Sequence, residues 1–362
     1  MDIIDKRACI LRTKKEIIEK LFDKKNSSPK YILGINTYCD TLLLYFSENQ
    51  IEFSGIIDDY TAITVYKSIP VFKMREIMNK NSIIVSCVVD CRIQTALNNL
   101  KSNGFVMIVN YLELCLNDPA LNQIHFCKNN INDIKENKNK YDWLFDLLED
   151  DLSKKTLRDI TDFRYNFNID ALKDILFDPD RQYFDSFVAF KESEVFVDCG
   201  GFNGNTTKMF ILKNPNYKKI YYIEPASDYF HESIENLKDF DNIVFINKAT
   251  YSKNTILKFK ISGSDSSFSN AGEVTVETIR LDDVINEQVT YIKMDVEGAE
   301  YASLIGAERL IRQYKPKLAI CVYHNQEDFW MIPELVLKYN KNYKVYLRHY
   351  TEGLLETVIY FL

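Results

Sequence analysis

Short apolar runs alternate with stretches of helical periodicity over most of the chain, and that alternation predicts the elements. At residues 13–22, Ile17, Ile18 and Leu21 recur at helical spacing. Thr13 followed by Glu16 reads as a capping box, so the first helix is expected to open there. Residues 30–59 (KYILGINTYCDTLLLYFSENQIEFSGIIDD) read as strand, turn, amphipathic helix, strand and acidic pair. SIPVF at 68–72 and SIIVSCVV at 82–89 read as two more strands, IQTALNNLKSNGF as a helix closed by Gly104, and VMIVN as a strand. Strands and helices in alternation imply a small parallel sheet.

The most polar stretch is KNNINDIKENKNKYD at 128–142, which suits a domain boundary. Residues 143–164 are helical in pattern, with Leu144, Leu147 and Leu148 as the apolar stripe and a break expected between Asp150 and Ser153. A second strand–helix alternation begins at Glu194. The reading is therefore a small Rossmann-like α/β domain at 1–127, a helical connector at 128–190, and a second α/β domain at 191–362. Equal intervals separate Gly34 from Asp58 and Gly200 from Glu224, and each covers a strand–turn–helix–strand unit ending in an acid. In a nucleotide-binding unit that acid reaches the ribose hydroxyls. Any unit of this type has about this length, so the match is similarity of fold and not evidence of duplication.

Composition narrows the partners. With 46% hydrophobic and 27% charged residues the chain is globular. Its 45 Lys and Arg against 52 Asp and Glu leave a net charge of −7 and no basic stripe, which speaks against nucleic acid. Eight cysteines are scattered without CxxC pairs, and the one close pair, Cys87 and Cys91, lies in an apolar stretch, so reduced thiols in a cytoplasmic protein are expected. No signal core opens the chain and no apolar run is long enough to span a membrane, so a soluble protein is expected.

The chemistry concentrates in three places. VFVDCGGFNGNTTKMF at 195–210 is an apolar strand ending in Asp198, followed by Gly200, Gly201 and Gly204 and then a helix. Glycines let the backbone turn tightly against a ligand. An aspartate at the mouth would repel pyrophosphate, so the loop favours a positively charged nucleoside such as S-adenosylmethionine, with Glu224 in IYYIEP beside it. In VTYIKMDVEGAE, Asp295 and Glu297 follow a strand and, two apart in extended backbone, would share a side. They could bind a metal, orient a hydroxyl or act as base, although acids also serve as helix N-terminal caps there. His324 directly follows the strand LAICVY, and imidazole is the obvious proton acceptor near neutral pH. His349 and Arg348 end another strand before a turn at Glu352 and Gly353 returns the chain antiparallel, so they too would border the pocket. His125 and His231 read as structural or exposed.

VDCGGFNGNTT, IEP, IRLDD, IKMDVEGAE and CVYH, in this order and spacing, resemble the FkbM-type S-adenosylmethionine-dependent methyltransferases. The resemblance covers about residues 180–362, with RQYFD at 181–185 and the ending YLRHY…ETVIYFL also fitting. It implies a class I methyltransferase sheet with a reversed last strand and O-methylation of a sugar, glycan precursor or polyketide-like hydroxyl. By position it implies cofactor contacts at Asp198, Gly200, Asn203, Gly204, Thr206 and Glu224. Catalytic roles fall to Asp295, Glu297 and His324, and acceptor contacts to His349 and Arg348. A divalent ion held by Asp295 and His324 is allowed as a second cofactor. The sequence departs from the pattern after the third strand, in IVFINKATYSKN, where an adenine-contacting acid is usual; Asp265 in SGSDSSF is a candidate substitute. ILGINTYCD in the first domain lacks the repeated glycines of a dinucleotide loop, which points to a scaffold, dimerisation or sugar-presenting role. The expected partners are a small-molecule or glycan substrate and, in some arrangements, a second copy of the chain, with no nucleic acid. The competing readings are an NAD-dependent sugar oxidoreductase and a non-catalytic binding module of a glycan-assembly complex.

Overall fold

The computed structural model describes residues 4–121, 129–260, 267–268 and 274–362. Cys127, His125 and Asp265 lie outside the described residues. The strands in chain order are β1 (Lys30–Leu33), β2 (Gly55–Ile57), β3 (Val65–Tyr66), β4 (Ile69–Phe72), β5 (Ile83–Ser86), β6 (Met107–Asn110), β7 (Val195–Cys199), β8 (Lys219–Ile223) and β9 (Ile243–Ile246). They continue as β10 (Ala249–Thr250), β11 (Thr255–Lys260), β12 (Ser267–Phe268), β13 (Val274–Ile279), β14 (Tyr291–Met294), β15 (Lys317–Cys321), β16 (Val345–His349) and β17 (Thr357–Phe361).

The chain forms two compact units, each assembled from separated segments. The first comprises Met1–Glu136, Leu157–Phe177 and Tyr350–Leu355; the second comprises Asn137–Thr156, Asp178–His349 and Glu356–Leu362. In the first unit six strands run in the order β3-β4-β2-β1-β5-β6. All neighbours are parallel except the β3–β4 hairpin at the edge. Ile32, Ile56, Ile57, Ile84, Val85 and Val109 are buried, the continuous apolar character of strands covered on both faces.

The opening helix runs Arg7–Phe22, six residues longer at its start than the capping-box reading allowed. Thr13 sits inside it and donates its hydroxyl back to the Ile10 carbonyl, while Asp5 accepts from the Arg7 N–H and supplies the end contact. Glu16 pairs with Lys20 one turn on. The break expected near Asp150 falls between helices Lys138–Leu147 and Asp151–Asn166.

The second unit holds a seven-stranded sheet in the order β9-β8-β7-β14-β15-β17-β16. Six strands share one direction and β17 is antiparallel to both its neighbours. This is the class I methyltransferase sheet with its reversed strand. The chain steps outward from β7 to β9, then returns to β14 on the other side of β7. That reversal of strand order opens a crevice at the carboxyl ends of β7 and β14, where open α/β sheets take ligands. A smaller sheet, β10-β13-β11-β12, lies in the same unit. AEYASLIGAERLI at 299–311, whose periodicity predicts one helix, falls in two, Glu300–Ile305 and Glu308–Tyr314. Gly306 marks the break, and a Cβ there would stand 2.1 Å from the Tyr251 carbonyl oxygen. Among the described residues no helix is long and apolar enough to cross a membrane.

Candidate active site

At the end of β7 the chain turns through Gly200 and Gly204, both with positive φ (76° and 85°). A Cβ on Gly200 would lie 1.8 Å from the Asp295 carbonyl oxygen, and one on Gly201 would lie 2.0 Å from the Tyr222 ring. The glycines are thus required by close approach to β14 and β8 as well as by backbone conformation. Asn203 and Thr206 are half-buried on the turn and on the first turn of helix Asn205–Lys213.

Asp198 is fully buried. The open acceptor expected at the mouth of the turn is instead a buried ion pair: Lys293 Nζ stands 3.1 Å from Asp198 Oδ1, and Thr207 Oγ1 donates to Oδ2 at 2.7 Å. Lys293 also donates to the Gly200 carbonyl at 2.6 Å, so the lysine of β14 ties the loop down. Burial pushes the Lys293 pKa down, but Asp198 and then Asp295 outweigh burial and hold it above its usual range.

Glu224, directly after β8, accepts from the Phe202 N–H at 2.9 Å and the Ala226 N–H at 2.8 Å. Burial, partly offset by those two bonds, raises its pKa to about 7. Beside it lies a cavity of ≈ 450 Å³ lined by Pro225, Ala226, Tyr229, Asn247 and Val276, among others. Asn247, at the carboxyl end of β9, donates to the Glu224 carbonyl at 2.8 Å. The half-exposed ring of Phe202 packs on Tyr229 with centroids 4.1 Å apart.

The second half of the crevice is acidic and centres on His324, only 3% exposed after β15. Its Nδ1 is 2.9 Å from Glu300 Oε1, and its Nε2 is 3.2 Å from Glu297 Oε2 and 3.6 Å from Asp295 Oδ1. The neighbouring strands β14 and β15 bring Asp295 and His324 together, as sequence order suggested. Glu297 reaches the cluster by a route other than the extended one expected, because its φ is +55°. Burial works to lower the His324 pKa, but Glu300 and Glu297 outweigh it and hold the imidazole well above its usual value. Asp295 is pushed up by burial, yet Lys293 and His324 bring it below its ordinary range. Glu297 is raised to about 7 and Asp328 to about 8, burial leading in both. Asp328 accepts from the Asn325 N–H at 3.1 Å, which fixes the turn after His324.

Several residues of this cluster escaped the sequence reading. Tyr183 donates to Asp295 Oδ2 at 2.8 Å and accepts from Gln182 Nε2 at 2.8 Å; Tyr323 donates to Asp295 Oδ1 at 3.3 Å. Gln182 also donates to Glu356, whose carboxyl burial raises to about 7. A signal existed for Lys293, a lone lysine inside an apolar strand. Glu356 had one too, since it heads the returning strand and so must stand at the carboxyl edge. His349 lies at that edge, with Nδ1 2.9 Å from Thr357 Oγ1. Arg348 points to other partners: its guanidinium donates to Asp150 at 2.6 and 3.1 Å and to Ser153 at 2.7 Å. His231 is exposed, with Nδ1 2.6 Å from the Ser227 carbonyl.

Comparison with known proteins agrees with this geometry. Residues 198–350 match the family model described as the methyltransferase FkbM domain. The crystal structure of methyltransferase FkbM from Methylobacillus flagellatus KT aligns over 98% of this chain and 98% of its own, at 21% identity and a TM-score of 0.73, which shows a shared fold. An rRNA methylase from Streptococcus thermophilus aligns over 54% of this chain and 93% of its own at 15% identity, with a TM-score of 0.32. Fibrillarin from Aeropyrum pernix, with natively bound S-adenosyl-L-methionine, aligns over 50% and 72% at 11% identity, with a TM-score of 0.32. Those last two scores are too low to carry an argument. No curated protein matches the chain. Residues 198–350 are thus similar to the methyltransferase FkbM domain, and the chain shares the fold of a solved methyltransferase FkbM.

Proposed function

We propose that the protein methylates a hydroxyl oxygen of a sugar or glycan precursor. The observation that carries this reading is the His324 cluster. One buried imidazole, after β15, sits among Asp295 and Glu297, which follow β14, and Glu300, which opens the next helix, beside the glycine loop. Bound S-adenosylmethionine would supply an electrophilic methyl on a sulfonium. The chain's contribution is to hold it and to place an oxygen in line with that methyl. Gly200, Gly201 and Gly204 leave room for a nucleoside. Glu224, with lone pairs beyond its two N–H donors, suits ribose hydroxyls, and the cavity beside Asn247, Tyr229 and Phe202 suits the base.

Positioning supplies most of the effect in such a displacement. Asp295, fixed by Tyr183 and Tyr323, orients the acceptor hydroxyl. His324, held cationic by Glu300 and Glu297, fixes those carboxylates and lends positive charge near the reacting oxygen. The proton of the acceptor then passes to a carboxylate, Glu297 being the one with a raised pKa in contact with His324, for a gain of about 10²–10⁴-fold. Glu356, Gln182 and His349 border the acceptor side. Three carboxylates at this mouth favour a neutral or cationic acceptor over one bearing an anionic group beside the reacting hydroxyl.

Asp295, Glu297 and His324 also offer ligand atoms within 4.8 Å of one another. Two hard oxygens and an imidazole whose other nitrogen is held by Glu300 would fit a divalent cation that displaced the His324 Nε2 proton, and the ion would lower the acceptor's pKa. Turnover unchanged by a chelator removes the ion from the account. An NAD-dependent oxidoreductase is disfavoured by the FkbM match and by the reversed strand β17. The test is incubation with S-adenosylmethionine and a pool of neutral sugars and nucleotide-sugars, read by mass spectrometry. A gain of one CH₂ on a sugar oxygen supports the reading; methylation confined to nitrogen or carbon acceptors overturns it.

A further inference from the structure

Tyr183 lies in a turn before β7, and its φ is +67°. A bulky side chain seldom adopts that left-handed backbone, which persists only where the surroundings impose it. The surroundings here are two phenolic hydroxyls. The Tyr183 N–H donates to Tyr360 Oη at 3.0 Å, and the Tyr183 carbonyl accepts from the Tyr291 hydroxyl. Both tyrosines are fully buried, Tyr291 on β14 and Tyr360 on β17. In register Tyr291 pairs with Lys317 of β15 and Tyr360 with Ala319, two residues on, so both side chains rise from one face of the second unit's sheet. A residue outside helix and sheet must still satisfy its buried backbone groups. At Tyr183 two side chains of the sheet do so, and they set its conformation in the process.

The consequence appears at the far end of the side chain. Lys293 Nζ lies 5.2 Å from the Tyr183 ring centroid, and the Tyr183 hydroxyl is 3.3 Å from Cys321 Sγ. Lys293 and Cys321 belong to the same face of the sheet as Tyr291 and Tyr360. Gln182 Nε2 donates to the Tyr183 oxygen at 2.8 Å, which leaves the phenolic proton for Asp295 Oδ2, also at 2.8 Å. Tyr183 is thus a strut, gripped by its backbone in the core and ending on a carboxylate at the carboxyl edge of the strands. Asp295 Oδ1 has only longer contacts, 3.3 Å to Tyr323 Oη and 3.6 Å to His324 Nε2, and is the oxygen left for an acceptor hydroxyl.

We propose that Tyr291 and Tyr360 are positioning residues for methyl transfer: their hydroxyls hold Tyr183 in the left-handed turn from which its own hydroxyl fixes Asp295. Their role rests on the reading of Asp295 as the residue that orients the acceptor hydroxyl.

The test uses full-length Tyr291→Phe, Tyr360→Phe and Tyr183→Phe, singly and with each of the first two combined with the third. Three quantities are read: hydrogen exchange at the amide of residue 183, affinity for S-adenosylhomocysteine by calorimetry, and turnover as release of S-adenosylhomocysteine with the pooled sugars and nucleotide-sugars. Tyr360→Phe removes the acceptor of that amide and is expected to raise its exchange at least about 10-fold; Tyr291→Phe, which frees the carbonyl, is expected to raise it by less. Each should lower turnover about 5–10-fold with affinity for S-adenosylhomocysteine within about 2-fold. Tyr183→Phe should lower turnover by at least as much. In its background either second substitution should change turnover by less than about 2-fold, because the hydroxyl they position has gone. If one of the two variants does not fold, the other decides. Unchanged exchange overturns the hold on Tyr183. Equal losses of turnover with and without the Tyr183 hydroxyl overturn the positioning role, since the effect is then a general one on the core. Retained turnover in Tyr291→Phe and Tyr360→Phe, with loss in Tyr183→Phe, overturns it too and leaves the acceptor reading standing. Asp295→Asn tests that reading by itself: full activity there, or a pool that the unaltered chain leaves unmethylated, means that the acceptor reading has failed and the positioning role with it, while raised exchange in Tyr360→Phe would still show the hold on Tyr183.

Discussion

Lys293 shows how a single side chain sets the terms for the loop around it. Its ammonium is buried with Asp198, and the two cancel each other where water cannot. Lys293→Met leaves Asp198 buried without its partner, and removal of one member of a buried pair costs about 3–5 kcal/mol. Urea denaturation should show that loss, whereas an exposed pair such as Lys15–Glu19 should contribute under about 1 kcal/mol. Glu224 carries a different prediction. Its carboxyl titrates near pH 7 because burial disfavours the charge, and ribose hydroxyls donate best to the ionised form. Binding of S-adenosylmethionine should therefore tighten as pH rises from 6 to 8 and level off above, the direction expected when the ligand prefers the deprotonated group. Glu224→Gln should weaken binding about 10-fold or more and flatten that dependence, measured by calorimetry at several pH values. Neither residue was equally visible beforehand. Glu224 announces itself at the end of an apolar strand, whereas the role of Lys293 needs β7 and β14 to be side by side, a pairing no local pattern states.

At the scale of elements, the loop after β7 is fixed by contacts with β14 and β8 that tolerate no side chain. Gly200→Ala places a methyl against the Asp295 carbonyl and asks for left-handed backbone as well. Loss of S-adenosylmethionine binding by at least about 10-fold is expected, with a lower melting temperature, because an alanine where φ is positive is strained. Retained affinity would mean the loop can shift away from β14. The strands themselves were legible in the sequence, since buried parallel strands appear as short runs of Ile, Val and Phe bounded by turns. Helix ends were less so. The Thr13–Glu16 spacing imitates a cap, but a threonine can also bond back along an existing helix, as Thr13 does. Residues 299–311 keep one helical period through Gly306, and only the approach of the Tyr251 carbonyl shows that this position admits no side chain.

At the scale of the whole molecule, the two units have sheets of related plan and different occupants. One S-adenosylmethionine per chain is expected in calorimetry. NADH added to the unaltered protein should show no fluorescence change, because the first unit's crevice already contains Glu352. A stoichiometry of two, or a saturable NADH signal, would contradict both statements. The sequence suggested a boundary near residues 128–142 and a weak nucleotide loop, but the assignment of 350–355 to the first unit depends on contacts some 257 residues apart, which periodicity does not encode.

That long-range closure has a consequence for biosynthesis. Domains that are continuous in sequence can fold as they leave the ribosome, the first before the second. Here the earlier-made sheet waits for its final strap until residue 355 has been translated. During that interval the backbone around Val89 to Cys91 and the start of helix Ile93–Ser102 have no intramolecular strap to answer them. A nascent chain halted before residue 350 should accordingly be more open to protease at residues 87–95 than the finished protein.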